Sequence, residues 1–151
     1  ELLLHIHKVK NEIPNIDVGY VDAYYEFENR PRITEVCDVV LANCYPFWEG
    51  CAIEYSLLYM KDMYARALKV ANGKKVIITE TGWPNMGEEY YGAEPSVKNA
   101  LIYYLNTQQW SKEENIDVFY FSSFDESWKI DDEGDVGAYW GLWDNNKKIK
   151  Y

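Results

Sequence analysis

The sequence predicts an α/β fold built on a parallel sheet, and three observations favour this class. Four short apolar segments rich in β-branched residues alternate with longer segments of helical periodicity. A polar or aromatic loop follows each apolar segment, as expected of repeated βα units. Four such units could also form a small doubly wound sheet, but no glycine-rich phosphate loop follows any of the four segments.

The first predicted elements are a helix and two strands. Apolar residues recur at helical spacing at the start of the chain: Leu2, Ile6, Val9 and Ile13. Pro14 ends this helix, because proline cannot continue it. A strand is predicted over residues 16–22 with an aromatic loop over residues 22–27, and a second strand over residues 36–43. A short helix or turn around Pro31 lies between the two strands.

The second half of the chain repeats this pattern. A helix of about five turns is predicted over residues 53–71 because apolar side chains fall at the helical period, and Gly73 follows as a stop signal. The third strand covers residues 76–79 and the fourth covers residues 117–123. Between them, residues 94–96 are expected to start a helix with a proline in its first turn.

Composition restricts the possible functions. The chain has 151 residues, of which 48% are hydrophobic, so it can bury the core of one domain or of part of one. The net charge of −10, without a basic cluster, argues against binding to nucleic acid or to an anionic membrane surface. No segment approaches the roughly 18 consecutive apolar residues of a membrane span. Aromatic residues make up 17%, which fits either large aromatic cores or platforms on which sugar rings stack.

The three cysteines are evenly spaced, at Cys37, Cys44 and Cys51, without a CxxC pair or a nearby histidine. We therefore expect small buried side chains and no metal site. Nothing in the sequence indicates a cofactor. The chain begins at Glu1 without a methionine, so a signal peptide is neither visible nor excluded.

Residues 74–85 carry the most functional information. A short apolar strand in this segment ends in a carboxylate, Glu80, which Gly82, Trp83 and Pro84 follow closely. In parallel α/β folds the chemistry collects beyond the carboxyl ends of the strands, so Glu80 stands where a catalytic group is expected. Trp83 would place an apolar ring beside it.

Three segments resemble a known enzyme family. Residues 79–84 (TETGWP) resemble, almost residue for residue, the segment that carries the nucleophile of family 17 glycoside hydrolases, which are retaining enzymes of the endo-β-1,3-glucanase type built on a TIM barrel. Residues 43–48 are similar to the end of the family's sixth strand, and residues 119–129 to its eighth-strand segment. The resemblance implies a (β/α)8 TIM barrel in which residues 1–151 supply strands five to eight, a half barrel that is the carboxyl-terminal half of one catalytic domain.

The same resemblance implies a function, the hydrolysis of β-1,3-glucan-type polysaccharide with Glu80 as the nucleophile. A retaining mechanism needs a second carboxyl group, about 5 to 5.5 Å away, as acid/base. In the family this group is a glutamate in an Asn-Glu pair that ends strand four, upstream of these residues. Asn11-Glu12 does not fit, because a helix precedes it. The chain alone is therefore expected to be inactive, and a glucan transglycosylase or a non-catalytic carbohydrate-binding or structural half barrel are the alternatives.

The residues expected to bind substrate follow the predicted strands: Asn43, Tyr45, Phe47, Trp83, Glu126, Trp128 and Lys129. Asparagine and tyrosine can donate hydrogen bonds to a sugar or to Glu80, and tryptophan can stack on a sugar ring. The resemblance gives Glu126 and Lys129 supporting roles, in hydrogen bonds to sugar hydroxyls and in tuning the charge around Glu80. Packing at strand ends and an ordinary exposed ion pair are the structural alternatives. The remaining acidic residues of these loops are expected to be solvated: Glu49, Glu54, Asp125 and residues 131–133.

The expected partners follow from this assignment. The substrate would be a β-glucan oligo- or polysaccharide, with no nucleic acid and no membrane. A half barrel leaves two inner edges unpaired, which parallel sheets rarely expose to water. We therefore expect a missing amino-terminal half barrel, or a second copy of the chain, to complete it. The resemblance also implies an extracellular or cell-envelope location.

Overall fold

The computed structural model describes the backbone of residues 1–151 and every side chain except those at positions 131 and 132. The helices and strands follow in this order: α1 (Leu2–Glu12), β1 (Gly19–Ala23), α2 (Tyr24–Asn29), α3 (Pro31–Val36), β2 (Val39–Asn43), α4 (Ser56–Ala71), β3 (Val76–Thr81), α5 (Val97–Glu113), β4 (Val118–Tyr120) and α6 (Ile130–Glu133). Short 3-10 turns lie at Phe47–Glu49, Ile53–Tyr55, Ser127–Lys129 and Asp135–Ala138.

The strands form a four-stranded sheet in the order β1-β2-β3-β4. Strands β1 and β2 run parallel, with Gly19 opposite Val39 at one end and Ala23 opposite Asn43 at the other. Chain order and sheet order coincide, as expected when a helical crossover connects each strand to its parallel neighbour. The predicted α/β class with a parallel sheet is therefore confirmed.

The chain divides into two compact units. Unit 1 comprises residues 1–44 and 61–79, and unit 2 comprises residues 45–60 and 80–151. The core of unit 1 contains apolar side chains from its helices and strands: Ile6, Phe27, Val40, Met63, Ala67 and Ile78. Met63, Ala67 and Ala71 lie four residues apart on α4 and form its buried face, whereas Leu68 on the same helix is exposed.

Two local predictions were wrong. Residues 22–27 were expected to form a loop, but Tyr24 begins helix α2. Tyr24 and Phe27, three residues apart, are its buried side. Helix α5 begins at Val97, so the expected proline in its first turn lies before the helix, and Ser96 caps it by accepting a hydrogen bond from the backbone N–H of Asn99 at 3.1 Å.

The prediction that the three cysteines are small buried side chains is confirmed, since Cys37, Cys44 and Cys51 are buried and free. Burial raises the pKa of the Cys44 thiol to about 12 and that of Cys51 to about 11, so both stay protonated at neutral pH. Among the side chains that the structure describes, no cluster of histidine, cysteine and acidic residues could hold a metal ion. None of the described helices combines the length and apolarity needed to cross a bilayer.

A partly buried ion pair connects α1 to the segment just before β2 within unit 1. The Lys10 ammonium donates to Asp38 Oδ1 at 2.6 Å and to the carbonyl oxygen of Val36 at 3.0 Å. The backbone N–H of Val18 donates to the other Asp38 oxygen at 3.1 Å. The hydrogen bond from Lys10, followed by that from Val18, lowers the pKa of Asp38 below its ordinary value.

Replacing Asp38 by Asn should make the protein less stable at neutral pH but not in acid. Because the pKa of Asp38 is lower in the folded than in the unfolded chain, its stabilising effect is present above the unfolded pKa and is lost as the pH falls through the folded pKa. Melting temperatures of the wild type and of Asp38→Asn should therefore converge as the pH falls below the ordinary aspartate pKa of about 3.9. Glu35→Gln, which changes an exposed carboxylate nearby, is the control, and a gap that stays constant over this pH range would contradict the prediction.

Candidate active site

Glu80 is the second-last residue of β3 and belongs to unit 2. The Tyr45 hydroxyl donates a hydrogen bond to Glu80 Oε2 at 3.0 Å. The next residue, Thr81, is buried, and its hydroxyl is 2.5 Å from the hydroxyl of Tyr103 on α5. Because side chains alternate along a strand, anchoring Thr81 on the helix side directs Glu80 to the other face.

Glu80 lines a cavity of about 300 Å³ in unit 2. The cavity combines aromatic rings with two carboxyl groups and one ammonium group: Tyr45, Trp48, Glu80, Phe121, Lys129, Glu133 and Trp140. Burial, followed by the negative charge of Glu80, raises the pKa of Tyr45 far above its ordinary value. The Tyr45 hydroxyl therefore stays protonated at neutral pH and can donate its hydrogen bond to Glu80.

Lys129 supplies the positive charge of the cavity. Its ammonium lies 2.9 Å from Glu126 Oε2 and 3.7 Å from Glu133 Oε1. It also lies 4.0 Å from the ring centroid of Phe121 and 5.3 Å from that of Trp128, within the range of cation–π attraction. The side chain is only 14% exposed, so these contacts hold the charge at a fixed place.

Glu133 was expected to be a solvated loop charge, and this prediction was wrong. It lines the cavity with Glu80, and its pKa is raised, chiefly by burial, although the Lys129 ammonium opposes the rise. Asp125 was also expected to be solvated, but its carboxylate is almost fully buried, 2.6 Å from the Lys150 ammonium. Asp125 pairs with a cation that is distant in sequence, whereas Glu133 pairs with Lys129, which precedes it by one helical turn.

Four other acidic residues of these loops were also expected to be solvated. Glu49 and Glu54 are exposed, as expected. The side chains of Asp131 and Asp132, for which solvation was also expected, lie outside the described residues.

Phe47 and Trp83, predicted to bind substrate, are fully buried. Their ring centroids are 5.3 Å apart in a T-shaped contact, and the Trp83 indole donates to the carbonyl oxygen of Glu94 at 3.0 Å. Phe47 also packs against Trp140 at 5.5 Å. Stacking on a sugar needs a free ring face, and neither residue has one in this structure.

Three further residues predicted to bind substrate, Asn43, Glu126 and Trp128, lie in different surroundings. Asn43 lies at the end of β2 in unit 1, where its side-chain oxygen accepts a hydrogen bond from the Thr79 hydroxyl at 2.8 Å. Glu126 is the closer of the two carboxylate partners of Lys129. Trp128, beside them, is 66% exposed, so its ring is open to solvent.

Sequence reasoning missed four residues of the cavity lining: Trp48, Phe121, Glu133 and Trp140. Trp48 and Phe121 lie inside the segments already singled out at residues 43–48 and 119–129. Trp140 stands in an aromatic stretch near the carboxyl terminus, and its ring is 5.5 Å from that of Tyr45. Only long-range packing brings it to the cavity, so no local signal could have assigned it.

Gly82, two residues after Glu80, fits a crowded crossing of chain segments. The backbone N–H of Phe121 donates to the carbonyl oxygen of Thr81 at 2.7 Å, which brings the segment after β4 against the end of β3. A β-carbon at position 82 would overlap the carbonyl oxygen of Phe121 and lie 3.2 Å from the Trp140 ring. The site therefore requires glycine here for space.

Replacing Gly82 by Ala should destabilise unit 2 by about 1–3 kcal/mol or more, because the added methyl group must displace backbone. Urea or thermal unfolding measures the change. Gly92→Ala is the matched control, since its methyl group would come no closer than 3.2 Å to the nearest atom. Equal stability of the two variants would contradict this account of the crossing.

Comparison with protein families gives a match over most of the chain. The model of the BtgE/BtgC glycoside hydrolase domain matches residues 1–141. A glucan 1,3-β-glucosidase of Arthroderma benhamiae is 31% identical over 167 aligned positions, which cover 100% of this chain and 54% of the relative. A cell surface mannoprotein of Candida albicans is 30% identical over 129 positions, covering 83% of this chain and 33% of its own length.

Solved structures agree with these matches. The family 17 β-1,3-glucanosyltransferase of Rhizomucor miehei superposes with a TM-score of 0.91 at 31% identity, covering 98% of this chain and 54% of that one. An active-site mutant of the same enzyme, in complex with laminaritriose, gives a TM-score of 0.91 at 30% identity, with the same coverage of 98% and 54%. The chain thus spans about half the length of the Arthroderma benhamiae relative and of the Rhizomucor miehei structure. Taken with the segments around Glu80, these matches show that the chain belongs to glycoside hydrolase family 17.

Proposed function

We propose that the protein containing this chain is a retaining glycosidase that acts on β-1,3-glucan, with Glu80 as its nucleophile. The observation that carries the proposal is the setting of Glu80. Its carboxylate stands at the end of a parallel strand, accepts a hydrogen bond from Tyr45, and lines a cavity with aromatic rings and the Lys129 ammonium. A nucleophile needs a fixed orientation, and the Tyr45 hydroxyl supplies it.

The chemistry would proceed in two displacements. A Glu80 oxygen forms a bond to the anomeric carbon while the bond from that carbon to the leaving oxygen breaks, and the acid/base residue gives that oxygen a proton. In the second step the acid/base residue takes a proton from water while the water oxygen bonds to the anomeric carbon, and the bond from that carbon to Glu80 breaks and releases the sugar. Lys129 offsets the negative charge of the two cavity carboxylates, and Tyr45, Lys129, Glu126 and Trp128 are proposed to contact the substrate.

The acid/base residue is proposed to come from a segment upstream of this chain. Glu133 shares the cavity and has a raised pKa, but the Lys129 ammonium is 3.7 Å from its carboxylate. We assign Glu133 to holding the position and charge of Lys129. The fragment alone would then lack the proton donor that retention requires.

We also propose that residues 1–151 form strands five to eight of a (β/α)8 barrel. Strands β1 and β4 are the edges of the sheet, and parallel strands with open edges are rare. Phe119 on β4 is 64% exposed, and Leu4 on α1 is 73% exposed, which supports burial of these surfaces by further polypeptide. The missing half barrel, or a second copy of the chain, would supply it.

Substrate and location are inferred from relatives. The Rhizomucor miehei structure contains laminaritriose, which supports a β-1,3-linked glucan as substrate. Because that relative is a glucanosyltransferase and others are glucosidases, transfer of the glycosyl group to a sugar hydroxyl is the second candidate reaction. The Candida albicans cell surface mannoprotein supports an extracellular or cell-envelope location.

Glu80→Gln in the complete protein should abolish turnover of laminarin, by about 10⁴-fold or more, because the amide cannot form the covalent intermediate. Binding of laminarin should remain. Glu54→Gln, an exposed carboxylate of the same unit, should have normal activity. Reducing-sugar release measures turnover, and near-normal activity of Glu80→Gln would remove Glu80 as the nucleophile.

Residues 1–151 alone should release no reducing sugar from a panel of β-glucans, whereas the complete protein should. The expectation rests on the missing acid/base residue, since leaving-group protonation is required for cleavage. Product analysis on the complete protein also separates hydrolysis from transfer, because transfer yields oligosaccharides longer than the substrate. Turnover by the isolated chain equal to that of the complete protein would contradict the proposal.

A further inference from the structure

The carboxylate of Asp125 connects three chain segments of unit 2. Its Oδ1 accepts a hydrogen bond from the Lys150 ammonium at 2.6 Å and another from the backbone N–H of Gly141 at 3.0 Å. Both charged side chains are shielded from solvent, since that of Asp125 is 8% exposed and that of Lys150 is 14% exposed. We call Asp125, Gly141 and Lys150 the Asp125 junction.

Backbone hydrogen bonds align the same three segments. The N–H of Asp125 donates to the carbonyl oxygen of Trp143 at 2.9 Å, and the N–H of Trp143 donates to that of Ser123, also at 2.9 Å. The N–H of Lys150 donates to the carbonyl oxygen of Leu142 at 3.0 Å. Lys150 therefore reaches Asp125 from a backbone that is itself attached to the junction.

The Asp125 junction is adjacent in sequence to groups of the candidate active site. Glu126 follows Asp125 and pairs with Lys129, whose side chain lines the cavity. Trp140 precedes Gly141 and lines the same cavity. A shift of the junction would therefore displace both Lys129 and Trp140.

Burial makes the two charges of the junction depend on each other. Loss of hydration lowers the pKa of Lys150, and its hydrogen bond to Asp125, together with the charges of Asp125 and Asp144, opposes this fall. Removing one partner would leave the other charge buried and uncompensated, which is costly. The surrounding segments would then have to move or admit water to hydrate it.

We propose that Asp125 and Lys150 are positioning residues, whose ion pair holds Lys129 in place in the cavity of Glu80. The inference rests on the proposed function and adds to it two residues outside the cavity that control the charge beside the nucleophile. An ammonium group near a carboxylate favours the ionised form, so displacement of Lys129 would raise the pKa of Glu80. Fewer molecules would then carry an ionised nucleophile in mildly acidic solution.

The charged and titratable groups around Glu80 define what the pH profile reports. Tyr45, Lys129 and Glu133 line the cavity with it, and Glu126 contacts Lys129. Tyr45 stays neutral because its pKa is raised, so Lys129 is the positive charge of this group and the two other glutamates are the negative ones. Any movement of Lys129 therefore changes the balance of charge at Glu80.

Two substitutions that remove opposite charges test the proposal in the complete protein. Lys150→Met and Asp125→Asn each break the ion pair, and the second keeps an oxygen that can accept from Gly141. On laminarin both should lower kcat by roughly 10-fold or more with little change in KM, because a misplaced charge affects the reacting atoms more than the bound sugar. In both, the acidic limb of kcat/KM, which reports ionisation of Glu80 in the free enzyme, should move to higher pH by roughly half a unit or more.

The direction of the pH shift separates positioning from an electrostatic effect through space. Acting only through space, loss of the Lys150 charge would raise the pKa of Glu80, whereas loss of the Asp125 charge would lower it. Shifts in opposite directions would therefore overturn the proposal. Lower melting temperatures with wild-type kcat and pH profile would also overturn it, since the ion pair would then be purely structural. If Lys150→Met does not fold, the direction of the shift in Asp125→Asn decides alone.

Two control variants address the role of the charge itself. Lys150→Arg keeps the charge, so it should stay closer to the wild type than Lys150→Met in both kcat and pH profile, and the reverse order would contradict the proposal. Lys148→Met removes an exposed ammonium of the same segment and should behave as wild type. An effect there equal to that of Lys150→Met would show that the pairing with Asp125 is irrelevant.

Failure of the proposed function has a different signature. A complete wild-type protein that does not cleave laminarin would overturn the β-1,3-glucan assignment, and the positioning role with it. A complete protein that cleaves laminarin, with both junction variants unchanged in kcat and pH profile, would overturn the positioning role alone.

Discussion

The aromatic cluster around Phe47 is the contact on which the cavity depends. Phe47 is fully buried, and the rings of Trp48, Trp83 and Trp140 lie 5.1, 5.3 and 5.5 Å from it in nearly perpendicular orientations. These rings come from three separate segments: the loop after β2, the segment after β3, and the stretch near the carboxyl terminus. Edge-to-face contacts are favourable only over a narrow range of geometry. The cluster therefore fixes the segments that surround Glu80, and a residue that never meets solvent can govern the shape of the site.

The abundance of aromatic residues thus has two physical causes in one molecule. Some rings, such as Phe47 and Trp83, form the interior that positions the cavity walls. Others, such as Tyr91 and Trp128, present faces to water, which costs hydrophobic free energy unless a ligand covers them. Trp48 lies between the two groups, because it packs on Phe47 and also lines the cavity. Ring-to-ring contacts therefore connect the buried aromatic residues to the cavity wall.

The sequence predicted the parts of the fold that local pattern controls. Apolar β-branched runs identified the four strands, and the period of α4 identified its buried face. Helix α2 was missed because Tyr24 and Phe27 show only one helical repeat, too short a pattern to distinguish from a loop. In the site, Glu80 stands at the end of β3 and Tyr45 shortly after β2, where parallel folds place polar groups, whereas Lys129 lies in a turn well beyond β4.

What the sequence could not provide is long-range packing. Trp140 reaches the cavity through contacts with rings far away in the chain, which no local pattern encodes. Glu133 is instructive because its signal was local: it follows Lys129 by four residues, one helical turn, and pairs with it. Treating residues 131–133 as one charged run hid that spacing. Phe47 and Trp83 show the converse: closeness in sequence to the segments that carry Tyr45 and Glu80 does not decide whether a ring lines the cavity or is buried behind it.

All seven cavity residues belong to unit 2. Catalysis by a retaining glycosidase has two requirements, an oriented nucleophile and a proton donor, and unit 2 bears on the first of them. Orienting Glu80 needs Tyr45, the aromatic cluster and the fixed charge of Lys129, and these are complete within residues 45–60 and 80–151. Breaking a glycosidic bond also needs a proton for the leaving oxygen, because an unprotonated sugar oxygen leaves poorly. If the proposed function holds and that proton comes from an upstream segment, the cavity would bind glucan without cleaving it when the segment is missing, and would cleave it when the segment is present. The enzyme and the binding module are then two states of one architecture, and the acid/base carboxyl group is what distinguishes them.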